Sequence, residues 1–344
     1  MSFDEDFSSL LKRLVEGESL SAESSLAGFA AIMAGQVSEA RMGAFLTALA
    51  LREPTVAEIA GAARAMRAAM RTVAAPAGAI DLCGTGGDGH GTLNVSTAAA
   101  FAVAACGLPV AKHGNRNMSS RSGAADVLEA LGVRIDLSPH AAQTCLDEVG
   151  LCFLFAPAYH PAMKHVAPVR KELAFRTVFN LLGPICNPAQ VRRQLVGVFA
   201  ERWVEPLARV LAELGAERAW VVHGSDGMDE LTITGTSLVV EIADDTIKRF
   251  EIEPRDAGLE RAALATVKGG NAAYNANALE LLLQDRGNRA YRDIVVLNAA
   301  AALVVGDKAT DIREGASLAD AAIRDGRALA MLEKLRAATR RLSP

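Results

Sequence analysis

From Ile80 onward, short apolar runs alternate with helical stretches, and this alternation narrows the folds open to the chain more than any other feature. AIDLC, LPVA, VRIDL, LCFLFAP, QLVGVF and AWVVHG each read as a strand leading into a polar or glycine-rich turn, most with a helix behind it. Such alternation predicts a mostly parallel sheet covered on both faces. SLVVEIADDTIKRFEI breaks the rhythm, because two alternating runs meet at Asp244-Asp245; an antiparallel hairpin at a sheet edge is expected. From about Asn271 the chain reads as helical, with breaks at Gly287, Gly306 and Gly326.

Upstream, residues 1 to about 72 read as helices on short turns. Ser21 caps SAESSLAGFAAIMAG, where Leu26, Phe29, Ala30 and Met33 recur at helical spacing and Gly35 sits where a terminating glycine belongs. Ser38 starts the next helix, and Thr55 with Glu58 forms a capping box before an alanine-rich helix ending near Arg71. The expected fold class is α/β: a small all-α domain over 1–75 and a larger domain over 76–344 with a mostly parallel sheet flanked by helices. The segment His160 to Pro188 carries Lys164, His165, Arg170, Lys171 and Arg176. It is expected to pack back on the amino-terminal helices and leave a site between the two units.

Of the 344 residues 51% are hydrophobic, mostly Ala, Leu and Val, and only 5% aromatic, which suits closely packed helices. A net charge of −4 argues against a general nucleic-acid or membrane-surface role, so any anion site must be local. The five cysteines, Cys83, Cys106, Cys145, Cys152 and Cys186, lack metal-ligand spacing and read as reduced, mostly buried thiols. MSFDEDFSSLL is acidic and carries no leader pattern, and apolar runs are broken by Gly and Pro short of a membrane span, so a cytoplasmic protein is expected.

The anion site is sought in Asp81 to Gly132, which holds six glycines between Gly84 and Gly107 and no acidic residue between Asp88 and Asp126. Gly84-Thr-Gly86-Gly-Asp-Gly89 follows a strand and formally matches a dinucleotide fingerprint, but LPVAKHGN, where the ribose-binding acid belongs, has no carboxylate. A Walker loop fails as well, for want of a following Lys-Ser/Thr pair. The bland alternative is a strand-to-helix turn with Ser96 or Thr97 as N-cap of a helix starting near Thr97. KHGNRNMSS tips the balance: Lys112, Asn115, Arg116, Asn117, Ser119 and Ser120 form a second set of donors ahead of the helix SGAADVLEAL. Two such turns after consecutive parallel strands face one crevice, suited to a phosphate and a pyrophosphate.

Asp229 and Glu230, adjacent in VVHGSDGMDELT, are either a solvated acidic turn or a site for magnesium, a hard cation that takes carboxylate and phosphate oxygens. Arg170 is either a surface or salt-bridging arginine or a planar fork for a carboxylate. His113 and His160 fit a core as well as a site. No nucleophile, base and orienting acid are recognisable, so no covalent intermediate is expected.

GTGGDGHGTLNVST, KHGNRNMSSRSGAADVLEALG, FLFAPAYHPAMKHVAPVRKELAFRTVFNLLGPICNP and VVHGSDGMDE, in this order and spacing, resemble the anthranilate phosphoribosyltransferase family of tryptophan biosynthesis over nearly the whole chain. The resemblance implies a nucleoside phosphorylase/phosphoribosyltransferase-like fold, a cleft between a helical and an α/β domain, and usually a homodimer. It puts Gly84, Gly87, Asp88 and Thr92 around phosphoribosyl pyrophosphate. Asn94, Val95, Ser96 and Thr97 continue that cradle, as do Lys112, His113, Gly114, Asn115, Arg116, Asn117, Met118, Ser119, Ser120 and Ala124. Gly84, Asn115 and Arg170 would contact anthranilate, with His113 and His160 lining its route. Ser96, Asp229 and Glu230 would hold Mg2+. Two departures stand out: Ala174, where the family often has glycine, and Cys186, where a small polar residue is common.

What the resemblance implies chemically is attack of the anthranilate amine on ribose C1 as pyrophosphate departs, with the protein positioning reactants and neutralising charge. The competing readings are a pyrimidine nucleoside phosphorylase, which needs a base-reading site and one phosphate, and a non-catalytic nucleic-acid-binding relative, which the acidic net charge disfavours.

Overall fold

The computed structural model describes residues 3–116, 122–244 and 246–343. Four helices open the chain: α1 (Phe3–Val15), α2 (Ala22–Met33), α3 (Glu39–Arg52) and α4 (Val56–Ala68). Their boundaries follow local chemistry. Ser21 Oγ accepts the Ser24 N–H, and Thr55 and Glu58 cap α4 reciprocally, each cap contributing about 1 kcal/mol. Glu58 also reaches outward: its buried carboxylate accepts the Leu20 N–H at 2.8 Å and pairs with Arg52, tying the start of α2 to α4.

The larger unit alternates as expected: β1 (Ile80–Gly84), α5 (Val95–Ala105), β2 (Val110–Gly114), α6 (Ala124–Ala130), α7 (Pro139–Val149), β3 (Leu151–Phe155), α8 (Ala156–Tyr159), α9 (Ala167–Leu173), α10 (Phe179–Ile185), β4 (Arg193–Gly197), α11 (Val204–Glu213) and β5 (Arg218–Gly224). The antiparallel pair β6 (Ser237–Ala243) and β7 (Thr246–Ile252) follows, then α12 (Ala272–Leu283), α13 (Arg289–Val305), α14 (Ile312–Arg324) and α15 (Arg327–Leu342). The sheet order is β3-β2-β1-β4-β5-β6-β7, with the first five strands parallel and the hairpin at the edge. No helix among the described residues is long and apolar enough to cross a membrane.

Period-two alternation sends successive residues to opposite faces. Leu195, Trp220, Val222 and Val239 join α5 and α13 in one core, while Val196, Val221, Val240 and Ile242 join α11 and the amino-terminal helices in the other. Each buried valine or leucine contributes roughly 2 kcal/mol. Val166, Val169, Phe179, Leu182 and Ile185 of the 160–188 segment lie in that second core, with Phe29 edge-on to Phe179 at 5.7 Å. The segment thus bridges the helical unit and the sheet.

One expected strand is absent among the described residues. VRIDL does alternate, and Val133, Ile135 and Leu137 are buried, but no neighbouring strand receives it. Side chains take its backbone groups instead: the Arg134 N–H donates to Thr339 Oγ1 and the Leu137 carbonyl accepts from Tyr159 Oη, both at 3.1 Å.

Candidate active site

The strand order reverses at β1, whose neighbours are β2 and β4, and the crevice beyond the carboxyl ends of β1 and β4 is where an open α/β sheet binds ligands. The glycine loop after β1 is pinned there from three sides. Thr85 donates its N–H to the Gly197 carbonyl at 2.9 Å and accepts from the Phe199 N–H at 3.0 Å. The Gly86 N–H donates to Asp229 Oδ2 at 2.6 Å. Arg176 donates to the Gly87 carbonyl while its guanidinium lies 4.2 Å from the Phe199 ring centre.

Helix α5 begins at Val95, two residues earlier than the sequence suggests, with Asn94 rather than Ser96 or Thr97 at the N-cap position. Asn94 makes no capping bond, and the Ser96 N–H in the first turn donates instead to Glu230 Oε1 at 2.9 Å, so a carboxylate from a distant turn takes a donor that an N-cap side chain would otherwise satisfy. Asp229 and Glu230 therefore clamp the glycine loop and the helix terminus together. Their turn is itself held rigid, because Asn298 of α13 accepts the Leu231 N–H and donates to the Leu231 carbonyl, and Asp226 accepts from the Thr232 and Thr234 hydroxyls.

Both residues are half-buried, and the desolvation of their carboxyl groups pushes Asp229 up to about 7 and Glu230 well above the usual carboxylate range. Asp88 raises both further with its own charge, whereas the Lys112 ammonium opposes the shift of Glu230. Carboxyl groups crowded so closely that they resist ionising together suit a hard cation, whose charge would favour their ionised forms. No three His, Cys, Asp or Glu side chains among the described residues are grouped to hold a metal by themselves, so a cation here must complete its shell with substrate and water oxygens.

Strand β2 runs to Gly114, so Lys112 and His113 are strand residues that face opposite ways. Lys112 Nζ donates to the Leu82 carbonyl at 2.5 Å and approaches Ser96 Oγ at 3.4 Å, under the α5 terminus. His113 turns toward the 160–188 segment. Its Nδ1 lies 3.0 Å from the Gly183 carbonyl, which can only accept, so Nδ1 carries the proton and Nε2 is a bare acceptor with no partner among the described residues. The His160 ring lies 5.2 Å from it, tilted by 50°, and burial depresses His113 to about 3 and His160 to about 4.

Arg170 makes no ion pair among the described residues; its guanidinium lies 5.7 Å from the Phe179 ring centre, and burial lowers its pKa. A half-buried arginine with no ion pair among the described residues fits a carboxylate receptor better than a structural bridge. Gly84 ends β1, Gly87 lies in the pinned loop, Thr92 bridges Lys268, and Val95 and Thr97 are buried in the first turn of α5. Asn115 and Arg116 are exposed, with Arg116 committed to Asp126 and Glu129 of α6, and Ala124 opens that helix. Asn117, Met118, Ser119 and Ser120 lie outside the described residues. A surface depression lined by Val56, Arg202, Arg209, Leu238 and Arg249 is remote from these groups, and its arginines pair with Glu53, Glu205 and Glu201.

Residues 8–70 match the glycosyl transferase family, helical bundle domain, and residues 77–329 match the glycosyl transferase family, a/b domain. An anthranilate phosphoribosyltransferase of Rhodopseudomonas palustris (strain BisB18) is 54% identical over 330 residues, 96% of this chain and 97% of that protein. The chain belongs to the anthranilate phosphoribosyltransferase family. The crystal structure of the anthranilate phosphoribosyltransferase from Thermus thermophilus superposes with a TM-score of 0.92 at 44% identity, covering 96% of this chain and 99% of that one. The anthranilate phosphoribosyltransferase of Saccharomyces cerevisiae in complex with PRPP and Mg gives 0.89 at 29% identity over 98% of each chain.

In this crevice, sequence reasoning named Arg176 without giving it a role and did not single out Asn275, Tyr291 or Asn298. Asn275 donates to Asn94 Oδ1 at 2.9 Å and Tyr291 Oη to the Asn94 carbonyl at 3.1 Å. The one available signal was KGGN, two glycines and a capping Asn271 before α12.

Proposed function

We propose that the chain transfers the phosphoribosyl group of phosphoribosyl pyrophosphate to the amine of anthranilate, releasing pyrophosphate, in tryptophan biosynthesis. The observation that carries this reading is the double clamp in which Asp229 holds the Gly86 N–H and Glu230 the Ser96 N–H, so that a cation-binding pair and two anion-binding backbone elements share one crevice.

In this reading the glycine loop and the α5 terminus receive the phosphate groups through main-chain N–H donors, and Lys112 adds buried positive charge beneath them. Asp229, Glu230 and Ser96 hold magnesium, with Asp88 beside them. Bound magnesium would supply positive charge that keeps these carboxylates ionised and offsets the negative charge of the departing pyrophosphate. Arg170 takes the anthranilate carboxylate in two parallel hydrogen bonds, with Phe179 fixing the plane of the guanidinium. His113 Nε2 accepts an N–H of the amine and turns the nitrogen lone pair toward C1. With its pKa at about 3, His113 orients the amine and is too weak a base to take its proton. That proton passes to the substrate's own carboxylate, on an oxygen lone pair that the two Arg170 bonds leave free. The C1–N bond forms as the C1–O bond to pyrophosphate breaks, through an oxocarbenium-like transition state and with inversion.

We divide the chain into a helical domain over 1–75, joined by part of 160–188, and an α/β domain over 76–344; the packing of Val166, Val169 and Phe179 with the amino-terminal helices supports the joining of that segment to the first domain. We also read the chain as a cytoplasmic homodimer, in which a second copy would cover the exposed Val15 and Leu51 of the helical unit. The competing phosphorylase reading is tested by offering uridine with inorganic phosphate in parallel with anthranilate and phosphoribosyl pyrophosphate. Only the second pair turns over if the proposal holds; cleavage of the nucleoside at a comparable rate overturns it.

A further inference from the structure

Asn94 stands at the N-cap position of α5 but makes no capping bond to its own helix. Its side chain faces α12 instead, where Asn275, only 2% exposed, donates from Nδ2 to Asn94 Oδ1 at 2.9 Å. The orientation of this pair is forced by a third group. The Gly270 N–H donates to Asn275 Oδ1 at 2.7 Å, and a backbone N–H can only donate. Asn275 must therefore turn its oxygen toward Gly270 and its NH2 toward Asn94. Asn94 must answer with its own oxygen, which leaves its NH2 directed away from α12. Tyr291 Oη fixes the main chain at the same residue by donating to the Asn94 carbonyl, so that only the amide orientation remains to be set.

We propose that Asn275 is a positioning residue that sets the amide of Asn94 with its NH2 presented to the phosphoribosyl substrate, so that the lip of the pocket is a donor and not an acceptor. This rests on the reading of Asn94 as a phosphoribosyl contact. An amide that flipped would offer an oxygen to an anion, replacing an attractive contact with a repulsive one at no change in shape. Asn275 thereby makes the polarity of the pocket a property of the fold, carried from Gly270 through two side chains.

A double-mutant cycle tests it, reading the dissociation constant for phosphoribosyl pyrophosphate at fixed free magnesium, the KM for anthranilate and the thermal midpoint. Asn275→Asp keeps the acceptor for Gly270 but presents oxygen to Asn94, forcing the flip; Asn275→Leu removes the donor without adding charge. In the parent background Asn275→Asp weakens phosphoribosyl pyrophosphate binding about tenfold and Asn275→Leu less, the KM for anthranilate being held. In an Asn94→Ala background neither adds a further loss beyond about twofold. The same loss with and without Asn94, or no loss from either Asn275 variant when Asn94→Ala alone weakens binding, overturns the proposal. Unchanged binding by Asn94→Ala overturns the underlying reading of Asn94 itself. Should Asn275→Asp fail to fold, the neutral variant completes the cycle.

Discussion

The main-chain carbonyl oxygen of Asp229 occupies the space that a Cβ on Gly197 would need. Its carboxylate crowds Gly84 in the same way, so the turn bearing the acidic pair lies directly on the ends of β1 and β4. Gly197→Ala should push Asp229 out of line, lowering stability by about 1–3 kcal/mol and weakening magnesium dependence more than anthranilate use. Melting and a magnesium titration of the rate check this; an unaltered magnesium requirement would show that the close contact has no bearing on the metal pair.

Arg176 anchors the glycine loop through the Gly87 carbonyl. Arg176→Ala should raise the KM for phosphoribosyl pyrophosphate several-fold while leaving that for anthranilate within about twofold, since a loosened loop must be ordered by the substrate. Steady-state kinetics with each substrate varied in turn decide the matter. Equal effects on both substrates would place Arg176 in the general architecture.

Arg170→Ala should cost about 100-fold in kcat/KM for anthranilate, with phosphoribosyl pyrophosphate binding retained, because one charge-assisted, bidentate contact is removed. Arg170→Lys should recover little, as an ammonium cannot reproduce the fork. Parallel losses for both substrates would assign the residue to structure.

Ala174 ends α9 in the left-handed region at φ 53°, a conformation that costs a residue with a Cβ about 1 kcal/mol. Ala174→Gly should be neutral or stabilising by up to about 1 kcal/mol in urea unfolding. A clear loss of stability would mean that the methyl group packs usefully.

Burial holds His113 and His160 below the ordinary value of 6.5, at about 3 and about 4. Depressed folded-state values mean that the stability from keeping these rings neutral is complete above about pH 6.5 and is lost as the pH falls toward them, about 2 kcal/mol per ring near pH 5. Asp81, pushed up to about 6 by burial, works in the opposite sense and offsets part of the loss. His113→Asn should therefore lose less stability than the parent between about pH 7 and pH 5; identical slopes would contradict the assignment.

What the sequence made legible follows from how far each signal reaches along the chain. Caps at Ser21 and Thr55, the edge hairpin and five of six parallel-type runs rest on neighbours a few residues apart, and they were found where expected. VRIDL misled because its alternation reports burial, and whether a partner strand exists is a property of the whole sheet. The donor-rich turns and the acidic pair were visible as residue types. Their supports were not, since Asn298 meets Leu231 across 67 positions and Asn275 meets Asn94 across 181, distances over which no periodic pattern survives.

The most direct measurement of the central claim is the stoichiometry of turnover. The purified protein is mixed with anthranilate, phosphoribosyl pyrophosphate and magnesium, and loss of anthranilate fluorescence is followed together with pyrophosphate release. One pyrophosphate released per anthranilate consumed, with both signals abolished by chelation of the metal, is the expected result. Pyrophosphate release that proceeds without consuming anthranilate, or no turnover with all three components present, would contradict it.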